Sequence, residues 1–354
     1  MVGGPWRPPP DSRTIHTIST GSSGATVSIL EQTDGELLAV KAARGPRVSA
    51  IDQQAARAAI APYFGEGRLP RVLFAGEQDA EDLLVTECPA VRTLADVAMS
   101  DGPVQPVLGV WTDVVNTLAA VWSRSARPGF DPDLATRNHG LRWGRAVKAL
   151  QWVFEELGLA DAPWRHLVVN DVDHGPLDEI LDRLAGIPLP AVHVACQGDP
   201  QPRNVLVDED GEWHLIDWEW AGLHQDWRMM TSHLVGWWYV EDVLATARGS
   251  INPAASAVFM SYQPPLTAEL EPWLRPVVGA FRGLTTPDRH DQDLTALTMH
   301  IAMLLIREIP KVMEDGRPHL LAPLLGEAIR FIDAGWMPGA PTLIDSFAAD
   351  RTTA

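Results

Sequence analysis

A proline-broken loop running into a tight hairpin constrains this chain more than any other stretch: Cys196-Gln197-Gly198-Asp199-Pro200-Gln201-Pro202-Arg203-Asn204, then Val205-Leu206-Val207 and Leu215-Ile216-Asp217-Trp218-Glu219. The apolar runs flank Asp208-Glu209-Asp210-Gly211, where Asp-Gly supplies the positive φ of a tight turn, so they read as paired strands. Asp199 and Asn204 are five residues apart, and Asp217 follows thirteen residues later. Closing the hairpin brings Asp217 back beside Asn204. One amide and one carboxylate then face a common point, with a second carboxylate nearby. Such hard oxygen ligands suit magnesium, which takes one or two protein carboxylates when it also holds substrate phosphates. An Asp/Asn turn beside an ordinary hairpin would carry the same residues.

The spacing matches the kinase pattern, in which a loop Asp receives a hydroxyl proton, an Asn five residues on holds metal, and an Asp after the next hairpin completes the metal site. In these motifs the chain resembles the aminoglycoside phosphotransferase and choline kinase-like family, whose loop commonly reads H-G-D-x-x-x-x-N followed by I-D-W-E. Gln197 stands in place of the His, and Gln can still donate and accept. The resemblance implies an α+β, two-lobed protein kinase-like fold with a small antiparallel β-sheet N-lobe and a mainly helical C-lobe. It also implies ATP and Mg2+ as cofactors, Asp199 as the catalytic residue, and Asn204 and Asp217 as metal ligands.

A chain of 354 residues is long enough for two packed lobes. Its formal charge of -18 argues against nucleic acid as a partner, since phosphates need a basic footprint. The same charge permits a cationic substrate, or simply serves solubility. Two cysteines, Cys88 and Cys196, are too few for a disulfide scaffold and fit a reducing compartment. Residues 1–11 are rich in Gly and Pro without the apolar core of a signal peptide. The most apolar helical run, 294–306, is shorter than the ~20 residues of a membrane span. The expectation is a cytoplasmic protein with no membrane partner.

Residues 1–13 are expected to be disordered, 14–90 to form the nucleotide-binding lobe, 91–336 the helical lobe, and 337–354 a loose tail. Between the first two strands, Gly21-Ser22-Ser23-Gly24 reads either as a phosphate-cradling turn or as a plain hairpin turn. Lys41, one of only three lysines, lies inside the apolar strand 37–43. An ammonium there needs an anionic partner or must snorkel from an edge. The resemblance assigns it to the α- and β-phosphates. It also implies a helix Glu to pair with Lys41, but predicted helix 48–63 offers only Asp52, Gln53 and Gln54 on its first turns. Strands 71–75 and 83–87 lead to a hinge where backbone groups of Glu87 and Cys88 are placed to read an adenine edge. Pro89 then stops the strand.

Helices are expected over 93–99, 106–125, 140–157 and 176–184, with loops at 128–138 and 158–173. A further helix covers 229–238, and the mainly helical stretch 267–335 is broken by Pro276, Pro287, Pro310, Pro318 and Pro323. Five of the 14 tryptophans fall between Trp218 and Trp238, as core or as an aromatic wall for an acceptor. The resemblance places Glu219 and Asp226 among residues that could contact that acceptor. The first expectation for the acceptor is a hydroxyl of a small molecule, such as an aminoglycoside-type antibiotic or amino sugar. The alternatives are a Ser/Thr side chain of a ribosomally made peptide, as in lanthipeptide-type biosynthesis, and a pseudokinase that binds nucleotide without catalysis.

Overall fold

The computed structural model describes residues 5–18, 24–46, 48–100, 104–129, 132–158, 165–254, 257–263 and 270–333. In chain order the elements begin with β1 (Arg13–Ile18), β2 (Thr26–Glu31), β3 (Leu37–Ala43), α1 (Ala50–Ile60), β4 (Val72–Gln78), β5 (Glu81–Glu87), α2 (Leu94–Ala98) and α3 (Val104–Ser125). Next come β6 (Arg127–Pro128), α4 (Pro132–Glu156), β7 (His166–Val169), β8 (Val172–Pro176), α5 (Leu177–Ala185), β9 (Val192–Cys196), β10 (Val205–Val207), β11 (Trp213–Leu215) and β12 (Gly222–Gln225). The series closes with α6 (Trp227–Thr246), β13 (Gly249–Pro253), β14 (Ala257–Tyr262), α7 (Glu271–Leu284), α8 (His290–Glu314) and α9 (Leu321–Asp333). An antiparallel sheet region followed by a mainly helical region is the α+β class that the sequence led us to expect.

Two compact units divide the chain, Met1–Ala126 with Val194–Gln225 and Arg127–His193 with Asp226–Ala354. The first therefore holds the sheet together with α2, α3, the 196–204 loop and the β10–β11 hairpin, instead of ending near residue 90. Hydrogen bonds explain the grouping. Val207 donates to Arg92 O at 3.0 Å and Leu215 to Arg68 O at 2.8 Å. The Arg68 guanidinium lies over the Trp213 ring, 4.3 Å from its centroid, and the Trp213 indole donates to Asp113 of α3 at 2.7 Å.

In this first unit the sheet runs β1-β2-β3-β5-β4, antiparallel throughout. Asp79 and Ala80, at φ 53 and 63, turn β4 into β5 in the left-handed conformation that matches hairpin twist. Helix α1 is capped by Ser49, whose hydroxyl accepts the Asp52 N–H, and Thr93 and Asp96 form a capping box on α2. Among the described residues α3 is the one helix long and apolar enough to cross a membrane. Its Trp111, Val114, Val115, Leu118, Val121 and Trp122 are nonetheless fully buried in protein.

The second unit departs from expectation in several places. Helix α4 starts at Pro132, where a missing N–H costs nothing in the first turn, so the loop expected at 128–138 is partly helix. The stretch 158–173 contains β7 and the start of β8, joined through Asn170 and Asp171 at φ 46 and 66. These strands continue into a mixed four-stranded sheet, β13-β14-β7-β8, with β14 parallel to β7. Helices α7 and α8 run through Pro276 and Pro310 without a break. Apolar residues on the following turns, Val277 and Phe281 in α7 and Val312 in α8, are buried by 98% or more and hold those helices together by packing.

Trp218, Trp227, Trp237 and Trp238 are buried while Trp220 is exposed, so this aromatic stretch is chiefly core. The expected loose tail lies outside the described residues.

Candidate active site

Every group of the candidate site lies in the first unit. Lys41 occupies the middle of β3, opposite Val27 of β2 and Leu84 of β5. Its Nζ donates to Asp217 Oδ1 at 2.9 Å and to Gln53 Oε1 at 3.4 Å, with Glu219 Oε2 at 3.9 Å. With the side chain only 18% exposed, the ammonium is held by two carboxylates and a neutral amide. The helix partner left open by the sequence is thus Gln53, itself buried and tied by its Nε2 to Val48 O at 3.1 Å. Lys41, Gln53, Asp82 and Glu219 line one small cleft with Ala25, Ala43, Pro46, Val48 and Leu84. There Asp82 accepts the first amide of α1, Ala50 N–H, which fastens the helix to the sheet. Burial pushes the Asp82 carboxyl above its ordinary value, the Ala50 hydrogen bond pulls it down, and Glu77 and Asp52 push it up again.

The 196–204 loop is organised from within. The Asp199 carbonyl accepts from Gln201 N–H and from the Asn204 amide, both at 2.8 Å, while Gln201 Nε2 donates to Asp199 Oδ2 at 2.9 Å. The Asn204 nitrogen is thereby turned into the loop, which leaves its oxygen as the end suited to a cation. Ile216 N–H donates to Asn204 O at 3.0 Å, continuing the Val205↔Leu215 pairing, so Asp217 follows directly beside Asn204 as the hairpin predicted. Asp217 itself has φ 58, a left-handed conformation costly for a residue with a Cβ. Gln197, fully buried, reaches across with Nε2 to Ile216 O at 2.5 Å and Asp217 O at 2.6 Å, and its Oε1 accepts Asp199 N–H at 2.8 Å.

From Lys41 an apolar surface runs toward the end of β5. Val27 and Ala39, beside Lys41 on the sheet, pack with Leu37 and Ile216 against a buried cluster of Ile29, Cys88, Ala90 and Leu206. Of the Glu87 and Cys88 backbone groups expected to read an adenine edge, the N–H groups donate to Arg71 O at 3.0 Å and Leu37 O at 2.9 Å. Pro89 has no N–H, so the next backbone donor belongs to Ala90, and no described group accepts from it. Gly24 adopts φ 70 just before Ala25, and Gly21, Ser22 and Ser23 lie outside the described residues.

Lys41, Asp199, Asn204, Asp217 and Glu219 fall in one unit, whereas Asp226 falls in the other. That side chain is 3% exposed in the helical unit, caps α6, and gives both oxygens to the Arg228 guanidinium at 2.7 and 2.9 Å. Glu219 faces Lys41. The contributions of Gln201 and Asp82 were missed; only the position of Gln201, two residues after Asp199 between prolines, carried a signal.

The donor set accommodates magnesium. Asn204 and Asp217 offer hard oxygens beside a lysine ammonium, which suits an ion shared with phosphate. Among the described residues no three His, Cys, Asp or Glu side chains gather into an all-protein metal cage.

No protein-family model matches the chain, and no curated protein matches it in sequence. In structure it is similar to an aminoglycoside-3'-phosphotransferase of type VIII, at 19% identity over 82% of this chain and 93% of that one, with a TM-score of 0.44. It is also similar to an ethanolamine kinase of Plasmodium vivax, at 10% identity over 92% of this chain and 82% of that one, with a TM-score of 0.45.

Proposed function

We propose that the chain is an ATP- and Mg2+-dependent phosphotransferase that moves a γ-phosphate to a hydroxyl of a small molecule. The observation that carries this reading is the Lys41–Asp217 pair at 2.9 Å, formed next to a loop that presents Asp199 and Asn204. Asn204 and Asp217 would hold the magnesium, which when bound offsets phosphate charge. Lys41 exchanges its carboxylate partners for phosphate oxygens. The apolar surface from Val27 to Cys88 suits a purine ring, with Ala90 N–H as the donor to its edge. Asp199 orients the acceptor hydroxyl and takes its proton. Positioning and charge stabilisation provide most of the acceleration in phosphoryl transfer, and these residues supply both.

Two departures from the family pattern would favour the pseudokinase alternative, the Gln at 197 and the missing helix Glu. Gln197 makes three hydrogen bonds in place, and Lys41 has three polar partners, so neither departure leaves a gap. For the acceptor, a formal charge of -18 is compatible with a cationic hydroxylated compound such as an amino sugar or aminoglycoside-type antibiotic.

Calorimetric titration with ATP, with and without Mg2+, on the wild type and Asp217→Ala tests the nucleotide half of this proposal. Mg2+-dependent binding that is lost in the variant supports it, and no nucleotide binding by the wild type overturns it. Transfer of labelled γ-phosphate to a panel of amino sugars, antibiotics and Ser/Thr peptides then tests the acceptor. Labelling confined to peptides would replace the small-molecule reading with the peptide one.

A further inference from the structure

Among the described residues Asp217 and Glu219 are the two carboxylates paired with Lys41, and they differ in access. The Asp217 side chain is 36% exposed, whereas that of Glu219 is 11% exposed and lines the small cleft shared by Lys41 and Gln53. A metal ion that keeps several waters suits the open carboxylate, and a largely buried ammonium suits the enclosed one. Trp218, between them, fixes both. It is 1% exposed, and the Arg57 guanidinium lies 5.5 Å from its ring centroid. Arg57 is held in turn by Leu69 O at 2.6 Å and Pro70 O at 2.7 Å.

Helix α1 meets the lysine only with an amide. Gln53 turns its oxygen to Lys41 because its Nε2 donates to Val48 O at 3.1 Å. An ionised carboxylate at this position would set an oxygen against Val48 O, so the negative charge beside Lys41 comes from outside the helix. Once Asp217 serves a metal, Glu219 Oε2 at 3.9 Å is the paired carboxylate left to the lysine.

We infer that Glu219 is a positioning residue that stands in for the helix Glu this chain lacks, holding the Lys41 ammonium while Asp217 serves the metal. The inference rests on the proposed reading of Asp217 as a metal ligand and Lys41 as a phosphate ligand. Glu219 acts through Lys41 and touches neither metal nor nucleotide, a role distinct from contact with the acceptor. Alternate residues of one short segment, 217 and 219, thereby serve the metal and the lysine, and α1 adds a neutral contact.

The test titrates a non-hydrolysable ATP analogue calorimetrically into the full-length chain, with and without Mg2+, for Glu219→Gln, Lys41→Met and the double variant. Thermal melting confirms that each is folded. With Mg2+, Glu219→Gln should bind the analogue about 3- to 10-fold more weakly, the scale of one lost polar contact. Without Mg2+ its binding should be unchanged, since Asp217 still holds the lysine. In the Lys41→Met background the same substitution should cost nothing further, because a residue acting through Lys41 has no effect once Lys41 is gone. A second arm needs no metal: in Asp217→Asn, where Glu219 is the remaining paired carboxylate, Glu219→Gln should weaken metal-free binding by about 3- to 10-fold. If Glu219→Gln does not fold, Glu219→Asp, with its charge one methylene short of the lysine, carries both arms with the same expected losses. Unchanged or tighter Mg2+-dependent binding in the folded variant overturns the inference alone. So does an equal loss in the Lys41→Met background, which would make Glu219 a metal ligand. Absence of Mg2+-dependent binding in the wild type overturns the functional reading with it.

Discussion

Lys41 and Asp217, 176 positions apart in sequence, meet at 2.9 Å. The pair mutually offsets a cation and an anion that would each be costly half-buried, and under the proposed function a phosphate and a metal would replace these partners.

Charge and neutral support around Lys41 are separable. Lys41→Met removes the ammonium and leaves Asp217 and Glu219 as neighbouring like charges; Mg-ATP affinity should fall by about 10-fold or more, the scale of a charged hydrogen bond. Gln53→Met removes only the neutral contact at 3.4 Å, and the loss should stay within about three-fold. Calorimetry on both variants checks the ordering, and a larger effect from Gln53 would mean that the helix, not the carboxylates, sets the lysine.

Gln201 holds one oxygen of Asp199 at 2.9 Å. Gln201→Leu should leave nucleotide binding intact and lower the turnover rate by roughly ten-fold through a less well-fixed carboxylate, the scale of one lost hydrogen bond to a charged group. Steady-state kinetics with the identified acceptor would show this as a change in kcat with little change in KM.

In the helical unit, Arg228 is fully buried and bonded to Asp226, Asp293 and Pro188 O. Arg228→Ala strands two buried carboxylates, so urea unfolding should register a loss of about 3–5 kcal/mol. Asp226→Ala should be destabilising as well, through the lost α6 cap and a buried guanidinium left with Asp293 as its remaining carboxylate partner, where an acceptor-binding residue would alter only KM.

Alkaline pH should weaken the fold before acid does much to these groups. Burial pushes the Cys88 and Cys196 thiols from 9.0 up to about 11, so the folded chain keeps protons that the unfolded chain releases. Their stabilising contribution is complete below pH 9 and is lost as pH rises toward 11, about 3 kcal/mol per thiol by linkage. Tyr239 and Tyr262, raised by burial and by Glu327, act in the same direction above pH 10. Urea midpoints across this range should fall steadily in the wild type and less steeply in Cys196→Ala.

Short-range chemistry was legible in the sequence. Asp208 to Gly211 announced the hairpin, the lone strand lysine announced a buried cation, and the hairpin announced that the chain at Asp217 returns beside Asn204. Partners set by tertiary packing were not legible. Nothing local distinguishes Gln53 from Asp52 or Gln54 until α1 is laid on the sheet, and Asp226 looks like any exposed acid until Arg228 is buried beside it with Asp293 of α8 as a second carboxylate partner. The β7–β8 turn was missed because Asn-Asp, unlike Asn-Gly, is a weak turn signal, and β13 and β14 fall in 239–266, for which no element was expected.

The arrangement of the first unit as two separated chain segments has a temporal consequence. At a synthesis rate of roughly 5–20 residues per second, the 176 positions between Lys41 and Asp217 take about 9–35 s to emerge. Through that interval the nascent sheet exists without the carboxylates that neutralise its central lysine and without the hairpin that packs beside Val27 and Ala39. Completion of the surface around Lys41 is thus timed by translation of residues 194–225, so the N-terminal half awaits its partner segment while the intervening helices are being made.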